Sequence, residues 1–243
     1  MRSRFLVGAL ALAAALFASG CVGAGGDSDR PAVILYGDSL AWESRTGFDA
    51  TLPGARVIHS NFPTTAICTY LDVMAGDIER YQPDAVVLEF AGNTITQCIG
   101  GITGQALIDR YTTDANAAIS LFVSRGIRVY LAAPPVLAGW AFDPSSGLRA
   151  AYWSLAAIWG PPVSFIDAGR AVLDNGAYTD TLPCLPWEDA SLGCVAGRIV
   201  VRNPDRVHFC PVAGFGNPCP VYNSGGWRFG NAMAAPVARD LGL

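Results

Sequence analysis

The stretch "AVILYGDSLAW" (residues 32–42) runs five apolar residues without alternation, turns at Gly37-Asp38-Ser39, and resumes with helix-tolerant Leu40, Ala41 and Trp42. An unbroken apolar run of this length suits a strand buried on both faces, as in parallel sheets covered by helices. Gly-Asp-Ser is turn composition. Ser39 is therefore either the residue that closes a buried strand or a nucleophile held at its end.

Similar apolar runs recur at 55–59 (ARVIH), 84–90 (DAVVLEF), 127–133 (IRVYLAA) and 163–167 (VSFID). Between the third and fourth, Leu107, Tyr111, Ala115, Ala118 and Phe122 recur at three- or four-residue spacing, which predicts an amphipathic helix over 104–124 that stops before Gly126. Further helices are expected over 41–51, 69–81, 147–159 and 227–241. The alternation predicts an α/β fold: a three-layer α/β/α sandwich around a five-stranded parallel sheet, flavodoxin-like, in the order 2-1-3-4-5. Residues 170–226 break the alternation and are expected to form a long irregular region rather than a second domain, of the kind that usually carries function.

The 243 residues suffice for one core, and half of them are apolar with only 15% charged. Residues 1–20 have Arg2 and Arg4, an apolar run shorter than a membrane span, and Ala18-Ser19-Gly20 before Cys21, which reads as a secretory signal of lipoprotein type. Cys21 is the expected lipidation site, although the Leu usual three positions before it is Ala18; ordinary signal cleavage nearby is the alternative. Residues 21–31 read as a flexible tether and 32–243 as the folded domain. Without residues 1–20 the chain has 14 Arg against 20 acidic residues, a formal charge of −6. That balance argues against nucleic-acid partners. All 16 basic residues are Arg. The absence of lysine excludes Schiff-base chemistry and a Walker-type phosphate site.

Six cysteines remain beyond Cys21, and an even number in an exported chain reads as disulfides. Proximity favours Cys184–Cys194 and Cys210–Cys219, leaving Cys68–Cys98. The rival reading, a structural metal site, lacks any C-x-x-C pair, and the chain has two histidines.

An activated Ser39 needs a base, and histidine is the usual one. His208 lies in "PDRVHFCP" three residues after Asp205, a spacing that lets the carboxylate fold back on the imidazole and orient it. His59, at the end of the second strand, is expected to pack or hydrogen-bond locally. Asn93 falls just past the third strand, where its amide could face a developing oxyanion. In a sheet of order 2-1-3-4-5 the loops after the first three strands converge on Ser39. Trp140 is expected to pack a loop, with stacking on a sugar ring as the alternative. Arg202 reads as a loop ion pair rather than a substrate clamp, Asp38 as a bond to local backbone, and "GGITG" (100–104) as a helix-leading loop.

"GDSL" at 37–40, Asn93 after the third strand and "DRVH" at 205–208 resemble blocks I, III and V of the SGNH, or GDSL, hydrolase superfamily, in that order. The paired "TAIC" (65–68) and "HFCP" (208–211) resemble an exported bacterial branch of it. The resemblance covers about residues 32–241 and implies Ser39 as nucleophile, His208 as base and Asp205 as its partner, with no cofactor and no metal. It implies an oxyanion hole of Asn93, the Ser39 N–H and a block II N–H. The block II glycine is replaced: "NFPTTAIC" has Pro63, which lacks an N–H, and Thr64, which can donate but is strained at positive φ. Block III reads Ala91-Gly92-Asn93-Thr94 where Gly-x-Asn-Asp is common. The implied function is a serine esterase acting on O-acyl esters of small molecules, envelope carbohydrate or lipid, as a monomer anchored outside the cell membrane. Acyl transfer to a cell-wall glycan and a non-catalytic envelope ligand-binding scaffold are the alternatives.

Overall fold

A computed structural model describes residues 29–243. The expected signal segment 1–20, Cys21 and the tether as far as Ser28 lie outside the described residues. Five strands form one parallel sheet: β1 (Ala32–Gly37), β2 (Arg56–Asn61), β3 (Ala85–Glu89), β4 (Arg128–Ala132) and β5 (Val163–Ile166). Their order is β2-β1-β3-β4-β5, as the sequence predicts.

Successive side chains of a strand point to opposite faces, and β1 divides its apolar residues accordingly. Ile34 and Tyr36 pack on one side with α3 (Leu71–Tyr81), α4 (Gly104–Val123) and α5 (Ser145–Trp159). Val33 and Leu35 pack on the other with α1 (Ser39–Glu43), α2 (Arg45–Thr51) and α6 (Ser224–Leu241). All six residues of β1 are buried. This is the reason the run lacks alternation: both faces of the strand meet a helical layer.

The expected single helix over 41–51 is instead two. It starts at Ser39, where the Asp38 side chain caps the Leu40 N–H, and breaks at Ser44, whose hydroxyl donates to Leu40 O at 2.7 Å. Such back-bonding competes with the helix ladder. The α6 helix begins three residues before the expected 227 because the Asn223 side chain accepts from Gly226 N. The expected helix start at 69 falls in a 3₁₀ turn, Ile67–Thr69, that leads into α3. As expected, "GGITG" leads into α4.

Residues 170–226 carry only short pieces: antiparallel pairs β6 (Leu173–Asp174) with β7 (Ala177–Tyr178) and β8 (Thr181–Pro183) with β9 (Arg198–Val200). The disulfides Cys68–Cys98, Cys184–Cys194 and Cys210–Cys219 all form. The last follows His208 directly, and the first ties the loop after β2 to the segment after Asn93.

The turn from β1 into α1 leaves no room for a side chain at Gly37. A Cβ there would lie 2.3 Å from Ala41 Cβ and 2.7 Å from Glu89 O. Gly37→Ala is expected to lower unfolding stability by about 1–3 kcal/mol, the usual cost of overpacking. Denaturant titration of the purified variant measures it; an unchanged midpoint would show that the turn has slack.

Candidate active site

Gly37 pairs with Asn61 of β2 and with Glu89 of β3, so the loops after those strands leave the sheet level with Asp38. Asp38 is fully buried and uses both oxygens. Oδ1 accepts from Leu40 N at 3.0 Å, whereas Oδ2 accepts from Ala91 N at 2.7 Å and Asn93 Nδ2 at 3.0 Å. The expected bond to local backbone is thus half of its role; the other half joins the nucleophile turn to the loop after β3. Burial pushes its carboxyl up to about 6, against the opposing pull of the Ala91 and Leu40 N–H groups, the His208 charge and the Asn93 amide. Beside it Glu89 is fully buried, and neither of its oxygens has a hydrogen-bond partner among the described residues. Burial, and then the Asp38 charge, push that carboxyl well above its ordinary range.

Ser39 opens α1, and its Oγ lies 2.9 Å from His208 Nε2. His208 Nδ1 lies 2.6 Å from Asp205 Oδ2. A carboxylate only accepts, so Nδ1 carries the proton and Nε2 is free to take one from Ser39. The other Asp205 oxygen accepts from Val207 N at 2.8 Å and His208 N at 3.0 Å, which closes the 205–208 turn. Burial alone would raise the Asp205 carboxyl; the side-chain and backbone hydrogen bonds from His208 overcome it and hold the group below its ordinary value. Arg206 takes φ +61° in this turn.

Three buried side chains that the sequence analysis did not single out, or read differently, support the turn. Asn203 donates to Cys210 O (2.6 Å) and Val212 O (3.0 Å) and accepts from Asp205 N (3.1 Å). Glu43, one helical turn after Ser39, accepts from Phe209 N (2.7 Å) and Cys210 N (2.9 Å) through Oε2. The signal was present as an acid four residues after Ser39 in an otherwise apolar run. Arg202 is neither the expected loop ion pair nor a clamp. It is 2% exposed, donates to Val207 O at 3.3 Å, and lies over the rings of Tyr178 (5.4 Å) and Phe209 (5.2 Å). Burial pushes its guanidinium down to about 10.

On the other side of Ser39, Asn93 Nδ2 donates to Thr65 O at 3.1 Å as well as to Asp38. Both hydrogens of the amide are thereby engaged. Thr64 adopts φ +64°, the region a glycine would favour. Its neighbour holds it there, for Thr65 Oγ1 donates to Phe62 O (2.7 Å) and lies 3.1 Å from Gly37 O. No hydrogen bond among the described residues uses the Thr64 N–H.

Ser39, His208 and Asp205 line a hollow of about 260 Å³ with Trp42, Pro63 and Phe215. A second, of about 460 Å³, runs from Asn93 past Ile95, Trp140 and Phe142. Trp140 packs against the core, as expected, and also lines this hollow. Its loop lies tight on the 205–208 turn: a Cβ on Gly139 would sit 1.9 Å from Asp205 O. His59 stays apart, paired with Asp49 at 2.9 Å and edge-on to Phe48.

No protein-family model matches the sequence, and no curated protein matches it. Solved structures do. A GDSL-like lipase from Bacteroides thetaiotaomicron superposes with a TM-score of 0.57 at 12% identity, over 88% of this chain and 90% of that one. The C-terminal catalytic domain of peptidoglycan O-acetyltransferase A from Streptococcus pneumoniae gives a TM-score of 0.53 at 16% identity, over 87% of this chain and 96% of that one. With these likenesses and the sheet order above, the chain has the SGNH hydrolase fold.

Proposed function

We propose that this protein is a cofactor-free serine esterase that hydrolyses O-acyl esters, and that a lipid on Cys21 holds it at the outer face of the cell membrane. The observation that carries the reading is the continuous relay from Ser39 Oγ through His208 to Asp205. Ser39 Oγ attacks the ester carbonyl as its proton passes to His208 Nε2, and Asp205 stabilises the imidazolium. His208 then protonates the departing alcohol. Water, deprotonated by the same imidazole, releases the acyl group.

The tetrahedral oxyanion needs donors. Ser39 N–H, at the first position of α1, has no intrahelical partner, and Thr64 N–H is unused. Asn93 joins them by exchanging its bond to Thr65 O for one to the oxyanion, while Asp38 keeps the other hydrogen in place. The Trp140–Phe142 hollow beside Asn93 offers apolar and aromatic surface to an acyl chain or a sugar ring, in line with an acylated envelope carbohydrate or lipid as substrate.

The first test is fluorophosphonate labelling of protein lacking residues 1–28, with the adduct located by mass spectrometry. Adduct is expected on Ser39, absent in Ser39→Ala and strongly slowed in His208→Ala, and ester turnover should fall about 10³- to 10⁶-fold in either variant. A folded, oxidised protein that takes no label would favour the ligand-binding scaffold instead. Acylated product with added cell-wall glycan would select acyl transfer over hydrolysis.

Two further outcomes are expected. Thr64→Gly relieves the left-handed strain and should stabilise the fold by roughly 0.5–1 kcal/mol without loss of turnover; a large loss would show that the threonine side chain itself serves the reaction. Cys21→Ala in the full chain should move the protein from the membrane fraction to the soluble one, and unchanged fractionation would overturn the lipid anchor.

A further inference from the structure

Glu43 is a buried acid, yet the relay described above does not use it. It is the last residue of α1, whose first residue is Ser39, and four residues of helix bring the two side chains to the same face. Its Oε2 takes the N–H groups of the two residues that follow His208, at 2.7 and 2.9 Å. One five-residue helix thus presents the nucleophile at one end and, at the other, grips the backbone of the loop that carries the base. The loop comes from 169 residues away in sequence.

The disulfide at Cys210 closes the loop on itself, to Cys219, and does not tie it to α1. Asn217 Nδ2, two residues before Cys219, donates to Trp42 O at 2.7 Å, a second and longer tie to α1 that reaches His208 only through the disulfide. Burial raises the Glu43 carboxyl; the His208 charge and the two amides oppose this, and Asp205 adds to the rise. No salt bridge among the described residues includes Glu43. His208 bears on it as a cation once that ring is protonated. That is the charge state created when Ser39 gives up its proton.

We propose that Glu43 is a positioning residue for the Ser39–His208 pair: it sets the reach of the imidazole to the nucleophile through the Phe209 and Cys210 amides, and its negative charge favours the imidazolium formed during attack. This rests on the esterase reading above. A carboxylate accepting two N–H groups is a strong, geometrically defined anchor, and a misplacement of about 1 Å at a reacting pair can cost about 10²-fold in rate.

The test compares wild type, Glu43→Gln and Glu43→Ala. Each is assayed for the rate of fluorophosphonate labelling at Ser39, for kcat and KM on a p-nitrophenyl ester, and for thermal stability. Glu43→Gln keeps the size and one acceptor oxygen, so it guards against a loss that reflects misfolding alone. Expected is a fall of about 10- to 100-fold in both labelling rate and kcat for Glu43→Gln, with KM within about threefold and a cooperative melt retained. Glu43→Ala should fall at least as far. A Glu43→Gln that melts lower yet labels and turns over like wild type overturns the inference and leaves Glu43 a structural acid. If wild type itself fails to label, both this inference and the esterase reading fall; if wild type labels and Glu43→Gln matches it, only this one does.

Discussion

Asp38 is a carboxylate with no access to water at the centre of the molecule, and the arrangement of the site follows from how it is satisfied. Leaving such a group unpaired costs several kcal/mol. It is met by N–H groups from two separate places, the start of α1 and the loop that leaves β3. Because β1 lies between β2 and β3, the residue after its last position is the one place from which a short side chain reaches both. The same bonds that satisfy Asp38 therefore aim Ser39 and Asn93 at one point. Glu89 is buried beside it, where burial and the Asp38 charge push its carboxyl well above the ordinary carboxylate range.

His208 arrives by a different route. It belongs to no regular element, and a loop held close to Ser39 must find partners for its own backbone. Asn203, Asp205 and Glu43 supply them from three directions, while Arg202 fills the space beneath between two aromatic rings. The cost of this design is a buried guanidinium with two nitrogens lacking partners among the described residues. Its return is a turn held by side chains rather than by a sheet or helix ladder. The two disulfides nearest the site act one level further out, closing the loops that carry Thr64, Asn93 and His208.

Thr64 shows how far such a scaffold can force a residue against its preference. A β-branched side chain disfavours positive φ, yet the bonds of Thr65 to the preceding loop hold the backbone in that region. The geometry that glycine supplies by freedom is here supplied by constraint. Solved structures with 12 to 16% identity share the fold, so packing pattern rather than residue identity carries the architecture.

The sheet is readable from the chain alone: five unbroken apolar runs separated by helical periodicity admit a parallel sheet covered on both faces, and its order, its six paired cysteines and the Asp205–His208 turn were legible for the same local reasons. Periodicity and short spacing report what a residue does to its neighbours in the chain. The helix ends at Ser39 and Ser224 were not legible, because they depend on single side-chain caps. Nor were the roles of Glu43, Glu89 and Arg202, whose meaning lies in partners far away in sequence and in the loss of water around them. Folding in three dimensions settles that an acid in α1 holds the loop of His208, that an arginine lies buried beneath that loop, and that both hydrogens of the Asn93 amide are already engaged. Burial turns these polar groups into obligations, and burial is a property of the whole fold.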